Sequence, residues 1–197
     1  MLAFGLATVL TASAAPPGDA VVAAARAQVG VTTSYDPSYV RLAYPGGDVP
    51  RDRGVCSDVV VRAFLGAGID LQRLVHEDMA AHFRDYPALW GLRGPDRNID
   101  HRRVPNLRRY LERRGFALPV TTQSVDYRPG DIVSWVLPNG LAHVGVVSDR
   151  RAVLANGRLL VVHNIGQGAR EEDVLFAWRQ NGHYRWRTSQ AGTVGRR

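Results

Sequence analysis

The chain has 197 residues, 45% hydrophobic and 8% aromatic, with a formal net charge of +7, which suits one sizeable domain and excludes a disordered polymer. The positive balance is arginine alone, since the sequence has no lysine, a bias that tracks genome composition before function but still points toward anionic partners such as cell-wall polymers, lipid headgroups or nucleic acid. With Cys56 as its single cysteine the chain has no intrachain disulfide.

In residues 1–15 the apolar run Leu2 to Leu10 is followed by Ala12-Ser13-Ala14, a small-x-small pattern that predicts a secretory signal cut near Ala14. The alternative is an apolar helix packed on the domain; the run is too short for a membrane span, which needs about 20 apolar residues. The expectation is an exported protein, periplasmic or associated with the cell wall, with no integral membrane segment once the signal is removed. A single domain then fills residues 16–187, followed by a flexible tail at 188–197.

Asp19 to Val29 reads as a helix with Asp19 as N-cap and Gly30 as stop. A turn-rich stretch runs from Thr32 to Gly54. A second helix is expected to begin at Cys56 or Ser57 and to end at Gly66 or Gly68. Residues 75–114 change character, with nine arginines against four acids between Arg84 and Arg114; they read as an insertion or lid with short helices near Glu77–Phe83 and Val104–Arg114. The C-terminal half follows strand logic in Asp131–Val136, Ala142–Ser148, Leu159–His163 and His183–Trp186, with turns at Pro138-Asn139-Gly140, Asn156-Gly157 and Asn181-Gly182. Helices first and an antiparallel sheet second make an α+β fold, in which the helix starting at Cys56 packs on the sheet that carries the histidines.

Singly, these residues have bland readings: a lone cysteine is usually a small buried hydrophobe, and a histidine in an apolar strand is usually structural. Together they suggest a nucleophile, a base and a group to orient the base. A helix start favours the thiolate through its unpaired N–H groups and positive dipole end, so Cys56 is expected to react with iodoacetamide faster than a free thiol. His76 and His82 are not a zinc motif, because six residues put them about 240° apart at ~3.6 residues per turn; no metal or other cofactor is expected, and the cluster from His76 to Asp78 is expected to cap a helix or line the cleft.

The ordered motifs Tyr44-Pro45-Gly46-Gly47, Gly54-Val55-Cys56-Ser57, Arg128-Pro129-Gly130-Asp131, His143-Val144-Gly145-Val146 and Val161-Val162-His163 resemble those of the NlpC-type papain-like cysteine peptidases of bacterial cell walls. Within that superfamily the chain is most similar to an uncharacterised bacterial family, domain of unknown function 1287, in which Val75-His76-Glu77-Asp78-Met79 and Asn98-Ile99-Asp100-His101-Arg102-Arg103 also recur. The resemblance implies a papain-like fold, Cys56 as nucleophile, His143 as base, His163 as the group orienting His143, and Tyr44 as a hydroxyl near the nucleophile that helps hold an oxyanion. Asn164 is the rival for the orienting role; neighbours in a strand point to opposite faces, so only one of the two faces His143.

The chain departs from the pattern in having Val55 before the cysteine and Asp58 two residues after it. Asp58 suits the helix dipole but opposes a thiolate, unless it holds Arg62 or a lid arginine. The implied activity is hydrolysis of an amide in peptidoglycan stem peptides through a thioester on Cys56. Those stems carry carboxylates, so Arg62, Arg102 and Arg103 are expected to line the substrate site, with Asp58, Asp100, His101 and Asn164 as further binding residues. A monomer acting on peptide stems, with no nucleic-acid partner, is the expected state. The rival readings are a catalytically silent cell-wall binding module, and an acyltransferase or antibacterial effector using the same site.

Overall fold

A computed structural model describes residues 17–153 and 157–187. The expected signal sequence, the Asn156-Gly157 turn and the expected C-terminal tail therefore lie wholly or partly outside the described residues. Helices α1 (Pro17–Arg26), α2 (Cys56–Gly66), α3 (Leu71–His82) and α4 (Val104–Arg113) precede most of the sheet. Ser34–Tyr35 (β1) and Arg53–Gly54 (β2) form a short parallel pair. The main sheet contains β3 (Ala117–Leu118), β4 (Ile132–Val136), β5 (Ala142–Arg151), β6 (Leu159–Asn164), β7 (Ala169–Glu172) and β8 (Arg179–Tyr184) in the order β3-β8-β4-β5-β6-β7. Every pairing in it is antiparallel, so the architecture is α+β as expected.

The sheet buries both faces. On one side α2 lays Val59, Val60, Ala63 and Phe64 against Val144, Val146 and Val162; on the other, Val133, Trp135, Val147 and Val161 close on Leu175. The run Val59-Val60-Val61 has poor intrinsic helix propensity, but all three side chains are buried, and that burial outweighs a propensity cost of tenths of a kcal/mol per residue.

The boundaries differ from expectation where local chemistry decides. Asp19 falls inside the first turn of α1 rather than at its cap. Helix α3 starts well before Glu77 because the Asp70 carboxylate accepts from the Arg73 N–H at 3.0 Å. Asn181-Gly182 is not a turn: it lies within β8, where the register against β4 shifts at Ser134/Trp135. A Cβ on Gly182 would come within 2.5 Å of Ser134 Oγ, so the glycine permits close strand approach. Strand β7, Ala-Arg-Glu-Glu, carries no apolar alternation and is legible only as a charged edge strand. The Pro-Gly-Asp motif is structural: buried Asp131 accepts from His183 Nε2 at 2.8 Å and from both Arg185 Nε and Nη2 at 2.7 Å.

Candidate functional site

Cys56 is the first residue of α2, and the turn that presents it is tied down from several directions. The Val55 N–H donates to Asp58 Oδ2 at 2.7 Å, which closes the helix start. Asp58 in turn takes a two-pronged contact from Arg102, Nε to Oδ1 at 2.8 Å and Nη2 to Oδ2 at 3.0 Å. Ser57 Oγ donates to the Arg102 carbonyl at 2.5 Å, and Asn164 Nδ2 donates to the carbonyls of Gly54 and Ser34 at 3.0 and 3.2 Å. The loop before the cysteine is gathered by Arg62, which donates to Asp48 and to the carbonyls of Val49, Pro50 and Arg53.

These contacts correct several expectations. Arg62 and Arg102 are buried and their guanidinium groups are consumed by the fold, so neither is free to hold a substrate carboxylate. Of its two expected partners Asp58 takes the lid arginine, Arg102, rather than Arg62, so it does not serve a ligand, and Asn164 holds the Cys56 turn rather than a ligand. Asp100 is fully buried, accepts from the Asp96 N–H at 2.6 Å and lies 3.6 Å from His76 Nδ1; burial raises its pKa above the ordinary carboxyl value. Burial likewise pushes His101 down to about 4. Neither Asp100 nor His101 lines the cleft described below. Asp78 binds Tyr86 Oη and Arg113, and His76 packs edge-on against Tyr44, so this cluster also stands apart from the cysteine.

Tyr44 has the spacing that the resemblance requires but not the place: it packs against His76 and Arg97. The hydroxyl beside the sulfur is that of Tyr35, in β1, whose pKa burial and the neighbouring Cys56 push up to about 12. Nothing in the turn-rich stretch distinguishes Tyr35 from Tyr39 or Tyr44; only the pairing of β1 with β2 brings it to the helix start.

The thiol also departs from expectation. Cys56 is 3% exposed, and burial drives its pKa up to about 12 although the amides of Val144, Ser57 and Cys56 itself pull the other way. Desolvation outweighs the helix start, and the resting group is a neutral thiol.

Strand β5 brings His143 to the same cleft. His143 Nε2 lies 3.0 Å from His163 Nδ1, and His163 Nε2 lies 3.0 Å from Glu172 Oε2. The carboxylate fixes the tautomers: Glu172 accepts from His163 Nε2–H, His163 Nδ1 accepts from His143 Nε2–H, and His143 Nδ1 keeps a lone pair. Burial, followed by the charge of a protonated His163, lowers His143 to about 3. Burial also lowers His163, against the opposing pull of Glu172. Trp135 and Trp178 pack on the His143 ring at centroid distances of 5.7 and 5.6 Å. Gly145 leaves room for this pair, since a Cβ there would come within 3.2 Å of His163 Cβ and 2.6 Å of Val161 Cγ1. His163 rather than Asn164 thus faces His143, as the strand alternation allows.

Cys56, Tyr35, His143, Trp178, Arg102 and Arg103 all line one cleft of about 920 Å³. Glu172, Tyr35 and the two tryptophans were not legible as site residues. The polar edge strand hid Glu172, and nothing in the sequence set Trp135 or Trp178 apart from other aromatic residues.

A mixed helix and antiparallel-sheet domain, with Cys56 and His143 on one cleft and His163 and Glu172 behind His143, defines the class of structure. Residues 22–186 match the family model described as "Domain of unknown function (DUF1287)", and the chain belongs to that family. It is also 59% identical over 167 residues to the Escherichia coli (strain K12) protein described as "Uncharacterized protein YijF", an alignment covering 85% of this chain and 80% of that protein. Among the described residues no helix is long and apolar enough to cross a membrane.

Proposed function

We propose that this protein is an exported cysteine amidase of the NlpC-type, papain-like kind that cleaves an amide in peptidoglycan stem peptides. The observation that carries the reading is the continuous chain Glu172–His163–His143 opening on the cleft that also holds Cys56 and Tyr35. In the reaction the Cys56 Sγ attacks the amide carbon as His143 Nδ1 takes the thiol proton. The C–N bond breaks, His143 returns that proton to the leaving amine, and a thioester remains. Water then attacks the thioester with His143 as base, releasing a carboxylic acid and the thiol. Because the resting pair is neutral, proton transfer accompanies attack rather than preceding it. Tyr35, kept protonated, is the donor for the developing oxyanion.

Incubation of purified sacculi with the wild-type protein and with Cys56→Ser tests this. Muropeptide release by the wild type and its loss in the variant, read by mass spectrometry, is the expected result; equal release by both, or none by either, refutes hydrolysis.

The burial of Cys56 and its raised pKa favour a second reading, a cell-wall binding module without turnover. Sacculus pull-down that persists in Cys56→Ser, with no new muropeptides from the wild type, is its signature.

A further inference from the structure

The cleft lining contains no aspartate or glutamate, and its two arginines differ in what they hold. Arg102 is neutralised by Asp58. Arg103, the next residue, makes no ion pair among the described residues, and its buried Nη1 has no hydrogen-bond partner there. Asp96 and Asp100 are near enough to act on its charge, but neither hydrogen-bonds it: Asp96 serves Asn98 and Tyr39, Asp100 Oδ2 serves the Asp96 N–H, and Asp100 Oδ1 is itself buried with no hydrogen-bond partner among the described residues. An unpartnered buried guanidinium nitrogen costs free energy unless something binds it.

The surroundings hold this cation in place rather than satisfy it. The guanidinium carbon lies 4.2 Å from the centroid of the Trp90 ring, a cation–π contact that helps hold the side chain at the cleft wall. Trp90 reaches it from a left-handed backbone, φ 59°, followed by Gly91 at φ 63°. A bulky residue in that region is strained. Trp90 is also half exposed, so its own burial does not account for the strain. On the other side, the Arg102 carbonyl is hydrogen-bonded by Ser57 Oγ, which ties the Arg102-Arg103 backbone to the residue beside the nucleophile. The start of α4, at Val104, also lines the cleft and has no acid in its first turn, so the helix dipole adds to the positive end.

We infer that Arg103, stacked on Trp90, is the anchor for a free carboxylate on the substrate, so that the substrate class is a peptide amide carrying an α-carboxylate rather than a neutral chain. The planar guanidinium fork matches a carboxylate with two hydrogen bonds, and the cleft is where Arg103 can gain the partner its guanidinium lacks. The inference rests on the amidase reading for its turnover arm only.

The test uses a stem peptide with a free α-carboxylate on its glutamyl residue and the same peptide carrying a carboxamide there. The wild type is expected to favour the acid in kcat/KM by about tenfold or more, mainly through KM, as befits a charge-assisted contact. In Arg103→Gln the acid-to-amide ratio falls to about one, and Arg103→Lys, which keeps charge without the fork, restores part of it. Equal cleavage of the two peptides by the wild type overturns the anchor while leaving the amidase intact. Cleavage of neither sinks the amidase and moves the question to binding. Calorimetric titration of both peptides into Cys56→Ala then decides: tighter binding of the acid, lost when Arg103→Gln is added, supports the anchor. Equal affinity, no binding, or a preference that survives the second substitution overturns it.

Discussion

Cys56 stands at the positive end of a helix, yet its thiol is harder to ionise than a free one because the side chain is almost wholly withdrawn from water. Two effects compete: dipole and amide hydrogen bonds favour the thiolate, and burial disfavours it. Here burial prevails. His143 is held neutral by the same cause, so the pair cannot rest as thiolate and imidazolium. The expected consequence is slow alkylation: at pH ~7, where little thiolate exists, iodoacetamide labels native Cys56 at least about tenfold more slowly than free cysteine. The rate climbs with pH toward the raised value of about 12. Stopped-flow or mass-detected labelling across pH measures it. A plateau with an apparent pKa below neutrality would demonstrate a standing ion pair and defeat the neutral resting state. The motif order placed the cysteine and His143 on one cleft and His163 against His143, as the structure has them. It misjudged the reactivity, because desolvation depends on β5 and β1 covering the sulfur, which no local pattern records.

At the scale of elements, the device that matters is the link between the start of α2 and the short 3-10 turn Asp100–Arg102. Asp58 closes its own helix through Val55 and grips Arg102, whose Nη atoms also reach the carbonyls of Ser38 and Asp36 at 2.9 and 3.2 Å. One ion pair therefore binds helix, turn and the loop near Tyr35. Both side chains are almost fully buried, so removing one leaves the other charged and unpaired. Asp58→Ala is expected to lower unfolding free energy by about 3–5 kcal/mol in urea titrations, whereas Asp58→Leu combined with Arg102→Met recovers most of the loss. A loss below ~1 kcal/mol for the single variant would mean that water enters and satisfies the arginine. Of the arginine-rich segment the sequence showed density but not commitment. Arg102 and Arg103 are adjacent and chemically identical, and the tertiary position of Asp58 makes one a strut and leaves the other without an ion pair among the described residues.

For the whole molecule, the two-faced sheet sets both the cleft and the response to acid. Antiparallel order was legible from the β-branched runs and short turns, but β7 and the bulge in β8 were not, since each is specified by pairing rather than by composition. Burial on both faces encloses several titratable groups. His143 and His101 sit at about 3 and about 4 against an ordinary 6.5, through burial first in each case, and His163 is lowered as well. Burial also tends to raise Asp131, but hydrogen bonds from His183 and Arg185 outweigh it and hold the carboxyl below its ordinary 3.8. A depressed folded value means that the unfolded chain binds the proton first, so the stability these groups confer is complete above their unfolded values and is lost as pH falls toward the folded ones. For the histidines that window opens near 6.5 and runs down to about 3–4; for Asp131 it lies below 3.8. Asp100, raised by burial, works in the opposite sense and takes stability away as pH rises from 3.8. The histidines act over the wider range, each removing up to ~1.4 kcal/mol per pH unit inside its window. Urea midpoints are thus expected to fall steadily between pH ~6.5 and ~4.5, and His101→Gln, outside the cleft, is expected to flatten that slope. A midpoint unchanged over the interval would mean that these imidazoles take up protons in the folded state, and with it would go the assignment of a neutral, lone-pair-bearing His143 as the base.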